Sequence, residues 1–298
     1  MSEKIEGDNV NENKTNINWF PGHMTKALRK IQANLKLVDI VAEVVDSRIP
    51  VSSRNPDLCR IIENKPRVIL MNKSDMADFE QTKKWISYYR ENNVAAIAID
   101  CKSGSGINKF CHVVRDVLSE RIKTWQDKGM SGRRIRVMVI GIPNVGKSSF
   151  INRLSPKSKA KAEDRPGVTK GNQWFSVDKQ IDLLDTPGVL WPKFEDKSVG
   201  EYLAFTGAVK DQVIDIESLA VRLIEVLLPD YKENFSTRFK LKDSLLNELS
   251  AYDILTEIGK KRGMLVSGGD VDRERAAIML LDEFRSAKLG RITLERLD

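Results

Sequence analysis

Apolar positions along the chain follow two periods. Short, nearly continuous aliphatic runs at Asp39–Val45 (DIVAEVV), Arg67–Met71 (RVILM), Val94–Ile99 (VAAIAI) and Arg136–Ile140 (RVMVI) predict strands buried on both faces of a parallel sheet. Gln173–Val177 and Gln180–Leu184 predict two further strands. Helical spacing lies between them: apolar residues at 24, 27, 28, 31 and 35 within Met24–Leu37, and similar patterns around 79–91 and 107–123. Strands alternating with helices predict an α/β fold, a mainly parallel sheet flanked by helices. Beyond about residue 198 the strand signal fades, and helical patterns at 199–206, 216–228, 242–258 and 271–288 predict an all-α C-terminal domain. The expected division is a disordered tail over 1–17, an α/β domain over 18–197 and a helical domain over 198–298.

Composition acts mainly by exclusion. Of the 298 residues, 41% are hydrophobic and 31% charged, as in globular proteins. No apolar run approaches the roughly 18 residues of a membrane span, so no membrane partner is expected. Cys59, Cys101 and Cys111 are odd in number and lack CxxC spacing, which argues against a disulfide framework or a zinc site and for a reducing, cytoplasmic setting. The N-terminus has no apolar region of the kind a signal peptide needs. The net charge of +7 is local: residues 121–170 hold 13 basic and 3 acidic side chains. This stretch runs from Arg121–Arg136 through KSKAK, and it predicts salt-sensitive contact with RNA phosphates.

Gly141-Ile-Pro-Asn-Val-Gly-Lys-Ser148 fits GxxxxGK[ST], between a predicted strand and a predicted helix. Glycines let backbone N–H groups converge on one anion, and the helix N-terminus adds its positive dipole end. The phosphate-binding candidates are Asn144, Val145, Gly146, Lys147, Ser148 and Ser149. Lys147 neutralises β- and γ-phosphates in this pattern, and Ser148 ligates Mg²⁺.

Asn72-Lys73-Ser74-Asp75 directly follows the strand RVILM. A carboxylate at Asp75 can accept from the N1–H and N2–H₂ edge of guanine, where adenine offers neither donor. Asn72 can reach the base's other edge or the phosphate loop, and the alkyl stem of Lys73 can cover the ring. Asp100-Cys101-Lys102 follows the next strand, at the place of a degenerate fifth guanine motif. Asp185-Thr-Pro-Gly188 follows QIDLL; Asp185 suits the Mg²⁺ shell and the Gly188 N–H the γ-phosphate. Thr169, 21 residues after Ser148 and 16 before Asp185, is the candidate switch threonine on Mg²⁺, or else an exposed loop residue. GTP and GDP are thus the expected ligands.

The motifs run NKSD, DCKS, GIPNVGKS, Thr169, DTPG, a circular permutation of the ordinary G-protein order. Loops at the carboxyl edge of one parallel sheet tolerate such re-joining of strands. The second switch then leads straight into the helical domain, which lets nucleotide state act on that domain.

With NWFPGHM at 18–24 and DSRIP at 46–50 added to these motifs, the sequence resembles the circularly permuted GTPases of the ribosome biogenesis GTPase A family over about residues 17–290. The resemblance implies a P-loop GTPase domain of permuted order and GTP hydrolysis late in assembly of the large ribosomal subunit. It also implies contact with ribosomal RNA and proteins, and slow basal turnover stimulated by the subunit. A GTP-gated RNA-binding scaffold, or a K⁺-dependent GTPase in tRNA or small-subunit maturation, are the alternatives. Where Ras-like enzymes carry a water-orienting Gln after DxxG, this chain has Val189. The resemblance points instead to His23 as catalytic residue; the bland alternative is a surface histidine at a helix start. It likewise points to Asn144 as a K⁺ ligand, against a role in turn geometry alone.

Overall fold

The computed structural model describes residues 21–155, 173–192, 194, 196–209 and 215–298, with side chains from Met24 onward. Six strands form one sheet: β1 (Ile40–Asp46), β2 (Arg67–Asn72), β3 (Ala95–Ala98), β4 (Ile135–Ile140), β5 (Gln173–Ser176) and β6 (Ile181–Asp185). Their order is β3-β2-β1-β4-β6-β5, parallel throughout except for β5 against β6. Every strand lies within a residue or two of its sequence expectation.

The sheet is sandwiched, so β1 is buried along its whole length. Its side chains alternate between two cores, as the two-residue period of a strand requires. Ile40, Ala42 and Val44 face Phe110, Val114, Phe150 and Ile151, from helices α4 (Phe110–Val117) and α6 (Lys147–Leu154). Val41 faces Ile31 of α1 (Pro21–Asn34) and Leu58 of α2 (Pro56–Ile61). Val45 packs with Trp85 and Tyr89 of α3 (Phe79–Glu91). Of the two charged residues on β1, Glu43 is buried and held by Arg54 Nε and Nη2, each at 3.0 Å, and Asp46 ends the strand.

Several helices differ from the periodic reading. The span 107–123 breaks into a 3₁₀ turn, α4 and α5 (Ser119–Asp127), because Leu118 leaves helical geometry. Helix α2 went unread, although Asn55 caps it through Asp57 N and Leu58 N and Pro56 opens it, both familiar start signals. After α7 (Lys197–Phe205), α8 runs from Ile216 to Phe239, well past the expected end at 228. Pro229 kinks it at Tyr231 without ending it, since Tyr231, Phe235 and Phe239 repeat every fourth residue into a buried face. The span 242–258 is two helices, α9 (Asp243–Glu248) and α10 (Ala251–Lys261), split where Ser250 accepts from Asp253 N as a cap. Helix α11 (Arg273–Arg285) closes the series.

The helical region has its own apolar core around Leu223, Phe235, Leu255 and Leu280. Helix α7 belongs to both cores, with Leu203 in the sheet's and Phe205 in the helical one. Beyond α11 the chain leaves the helical region and runs back over the loops that follow β1 and β2.

Those loops meet at a buried charge cluster. Arg48 reaches the Asp46 carboxylate through Nε at 2.9 Å and Nη2 at 2.7 Å, and Lys73 Nζ adds a contact at 2.9 Å. Burial alone would raise the Asp46 pKa, but Arg48 and Lys73 outweigh it and hold the carboxyl well below its usual range. Ser47 donates twice to Asn72 O, at 2.9 and 2.8 Å. The Arg48 guanidinium stacks 5.3 Å from the Phe284 ring of α11. Asp46→Ala would strand two cations in the interior and should lower unfolding free energy by about 3–5 kcal/mol in urea melts. Because the folded pKa is depressed, the wild-type contribution is complete above the unfolded-state pKa and is lost as pH falls below about 4 toward the folded value. The stability gap between wild type and variant should therefore narrow in acid.

Candidate functional site

The carboxyl ends of β3, β2, β1, β4 and β6 lie side by side, and each carries one of the sequence motifs. Sheet order thus sets NKSD and DCKS at one end of a crevice and the phosphate loop and DTPG at the other, with DSRIP between.

The phosphate loop follows β4 and becomes α6 at Lys147. Two glycines are obligatory there. A Cβ on Gly141 (φ +150°) would lie 2.5 Å from Val44 O, and one on Gly146 (φ +100°) would lie 2.2 Å from Asn72 Nδ2. Asn144 adopts φ 61°, a left-handed conformation that asparagine tolerates. Its Nδ2 donates to Gly207 O, just past α7, at 2.8 Å. Val145 is buried, Ser148 half-buried and Ser149 exposed at the start of α6.

Lys147 is buried, and its ammonium donates to Ile142 O at 2.7 Å. Burial pushes it down to about 8, against the opposing pull of Asp185. Burial likewise pushes the Asp185 carboxyl up, against Lys147, and Asp185 Oδ1 is enclosed without a hydrogen-bond partner. Each charge is desolvated more than the other compensates, the condition of a site built for further charges. Thr186 ties the strand end down by donating to Val139 O at 2.6 Å. A Cβ on Gly188 would come within 2.9 Å of Pro143 N and 3.0 Å of Lys147 Nζ, so DTPG lies directly over the phosphate loop.

At the other end, Asn72 bridges loops. Its Nδ2 donates to Val145 O at 2.7 Å, and its Oδ1 accepts from Cys101 N at 3.1 Å. Of the two roles open to Asn72 from sequence, the structure shows the tether to the phosphate loop. Lys73 sits at φ 59° with its ammonium on Asp46. Ser74 donates through Oγ to Ile99 O at 2.9 Å and so joins the β2 and β3 loops. Asp75 Oδ1 is buried with no partner. An unpaired buried carboxylate oxygen is costly, and it marks a place where a donor belongs.

Asp100 is occupied with its own turn, accepting from Lys102 N at 2.7 Å and Ser103 N at 3.1 Å. Burial opposes ionisation, but these bonds prevail and hold its carboxyl low. Cys101 is buried, and desolvation together with Asp100 pushes its thiol up to about 12, so it is a neutral wall of the loop. Lys102 is exposed beside it.

Thr169 and the KSKAK stretch lie outside the described residues. His23 falls in the first turn of α1, and its side chain also lies outside them. Val189 is buried against Ile31, with Met24 and Leu28 of the same helix packed alongside, so the residue after DTPG anchors the helix that carries His23.

Four arginines of the basic stretch have partners within the protein. Arg133 pairs with Asp39 at 2.8 Å, Arg134 with Asp182 at 2.6 Å, Arg121 donates to Asp39 O at 3.2 Å, and Arg153 to Ser103 O. These arginines pair within the protein while Arg121, Arg133 and Arg153 stay exposed, and residues 121–127 belong to α5. Lys123 and Lys128 remain exposed.

Sequence reasoning passed over Thr186, Asn55, whose Nδ2 donates to Val189 O at 2.9 Å, and the Asp46–Arg48 pair. An acid and a base two residues apart after a buried strand were the available signal for that pair.

Residues 136–253 match a family model described as 50S ribosome-binding GTPase, which begins at the strand before the phosphate loop and leaves NKSD outside. Ribosome biogenesis GTPase A of Priestia megaterium is 46% identical over 280 residues, covering 94% of this chain and 96% of that protein. The namesake of Bacillus licheniformis is 44% identical, covering 94% and 98%, and that of Thermotoga maritima is 32% identical, covering 94% of each. The solved structure of GDP-bound TM YlqF aligns with a TM-score of 0.65 at 28% identity, over 90% of this chain and 99% of that one. GNP-bound YlqF from T. maritima gives 0.63 at 29% identity, over 91% and 98%. Similarity of that extent over nearly the whole chain makes this protein a member of the ribosome biogenesis GTPase A family, a GTPase of circularly permuted motif order.

Proposed function

We propose that this GTPase acts on the maturing large ribosomal subunit, docking on its RNA and proteins in the GTP state and leaving on hydrolysis. The relatives' shared name and the ribosome-binding description of the matched family support that partner. The observation that carries the coupling is the bond from Asn144, inside the phosphate loop, to Gly207 O at the head of the helical region. Whatever occupies the phosphate loop acts on that bond, and so biases the region free to meet the subunit.

The site residues divide the work of hydrolysis. Asp75 Oδ1 accepts from the guanine edge, while Asn72 and Ser74 hold the loop and Lys73 lays its stem along the base. Asp100, Cys101 and Lys102 wall the base from the β3 side. Loop N–H groups over Asn144–Ser149 and the dipole of α6 receive the phosphates, and Lys147 turns from Ile142 O to the β- and γ-oxygens. The Gly188 N–H faces the γ-phosphate.

GTPase domains work with Mg²⁺, and the partnerless Asp185 Oδ1 beside Lys147 fits such an ion. Ser148, Asp185 and Thr169 would hold it, and it would neutralise charge on the phosphate oxygens. The Asn144 Oδ1, opposite the amide that Gly207 fixes, would hold K⁺. The buried Val189 cannot orient water, so His23, on the helix that Val189 anchors, takes that role.

Purified large subunits should raise the GTPase rate by about tenfold or more. Stimulation by small subunits would move the function to the other particle, and no stimulation by either would favour a scaffold. His23→Ala should lower turnover about a hundredfold while the affinity for a GTP analogue changes less than about twofold. Hydrolysis in KCl should exceed that in NaCl by about tenfold, since the preorganised charge near the phosphates depends on the larger ion; equal rates would remove Asn144 from cation binding.

A further inference from the structure

The chain does not end at its last helix. After α11 it turns at Gly290, where φ is +101° and a Cβ would lie 2.4 Å from Asn234 Nδ2. It then runs through the cleft between the loops after β1 and β2. Ile292 N donates to Met76 O at 3.0 Å, and Leu294 N donates to Arg48 O at 2.8 Å. Thr293 Oγ1 accepts from Asp78 N at 3.1 Å, while its backbone N and O both meet the Tyr231 hydroxyl at 3.0 Å. Glu295 accepts from Val51 N at 2.5 Å and Ser52 N at 2.8 Å, and its carbonyl accepts from Trp85 Nε1 at 2.7 Å. Ile292 and Thr293 are 1% and 0% exposed, so this is an interior strap rather than a trailing end.

Its placement relative to Asp75 is specific. Asp75 stands at the crown of a turn closed by Met76 N on Lys73 O at 2.9 Å. The Lys73 side of the turn is pinned by the Asp46 carboxylate, and the Met76 side by Ile292 and Thr293. A lone acceptor oxygen discriminates among bases only if its position is fixed from behind. The turn's other anchors, Ser74 N and Oγ on Ile99 O, act before the crown and leave its far side to the strap.

We propose that Ile292–Glu295 are positioning residues for guanine recognition: the C-terminal strap, fixed to the helical region through Tyr231, sets Asp75 against the base. The proposal rests on the reading of Asp75 as the guanine acceptor. Selectivity for guanine thereby belongs to the closed, two-region protein and not to the sheet alone.

The test compares GDP with IDP, which lacks the N2 amine and so one of the two donors Asp75 receives. Equilibrium binding is measured on the full chain carrying Thr293→Val, Glu295→Ala or Asp75→Asn, beside wild type. The strap variants should weaken GDP about tenfold and IDP about threefold, lowering the GDP/IDP preference, with kcat at saturating GTP unchanged. Thr293→Ser, which keeps the hydroxyl, should restore the preference. An unaltered preference in folded Thr293→Val and Glu295→Ala proteins, beside a collapsed one in Asp75→Asn, overturns the strap's role. An unaltered preference in Asp75→Asn overturns the reading of Asp75, and the proposal with it.

Discussion

One carboxamide holds the nucleotide site together. Asn72 donates to Val145 O in the phosphate loop and accepts from Cys101 N in the loop after β3. The first of these bonds spans 73 residues of chain, because permutation has put the base-recognising strand ahead of the phosphate-binding one. In sheet order β1 stands between them. No ladder bond can link β2 to β4 across it, so a side chain must make the connection. Asn72 fits because it carries one donor and one acceptor on a short stem. Glycine at 146 is the counterpart of that choice, since any Cβ would collide with the amide.

Two buried charge clusters flank this amide and differ in kind. Around Asp46, cations outweigh desolvation and the carboxyl is held low; around Lys147 and Asp185, desolvation wins on both partners. In the first cluster the protein satisfies the Asp46 carboxylate, although Arg48 Nη1 stays buried without a hydrogen-bond partner, and the cluster serves as architecture. It fixes Lys73 in a left-handed conformation and brings Phe284 of α11 against Arg48. The second leaves Asp185 Oδ1 without a partner, a cost that a ligand's charge would offset. The same holds for Asp75 Oδ1 at the base end. Burial itself does not distinguish these carboxylates; Asp46 is completed by the protein's own atoms, whereas Asp75 and Asp185 each keep an unpartnered oxygen.

The sheet and the nucleotide motifs were legible in the sequence because both are local. A strand buried on two faces shows its aliphatic run, and a phosphate loop shows its glycines. Pro229 and Leu118 mark where local reading fails. The helix expected over 216–228 runs on through Pro229 because buried aromatics at 231, 235 and 239 continue its face, whereas no residue at 118 announces a break. The ion pairs of Arg133 and Arg134 were not legible, since their partners Asp39 and Asp182 lie far off in sequence. The strap was illegible for the same reason: Glu295 meets Ser52 across 243 residues, and nothing in GRITLERLD marks a segment whose Ile292 and Thr293 will be buried.

The helical region meets the nucleotide site at both ends, and the two contacts differ in strength. At the base end the strap is interior and held by many bonds, with Thr293 and Ile292 shut off from water. At the phosphate end, the bond from Asn144 to Gly207 O is a single exposed one. A bond of that kind is worth about 1 kcal/mol, well within the bias that a bound phosphate can exert. Under the proposed function the strong contact would serve as a fixed point and the weak one as the place where motion begins. Permutation makes this arrangement possible, because DTPG at the end of β6 runs directly into α7, whose C-terminal turn presents Gly207. In the ordinary motif order the second switch returns to the sheet and its movement is absorbed there. In this chain it would be delivered to a helix shared by both cores, so that under the proposed function a change at the γ-phosphate would act on the helical region while the strap holds the base end fixed.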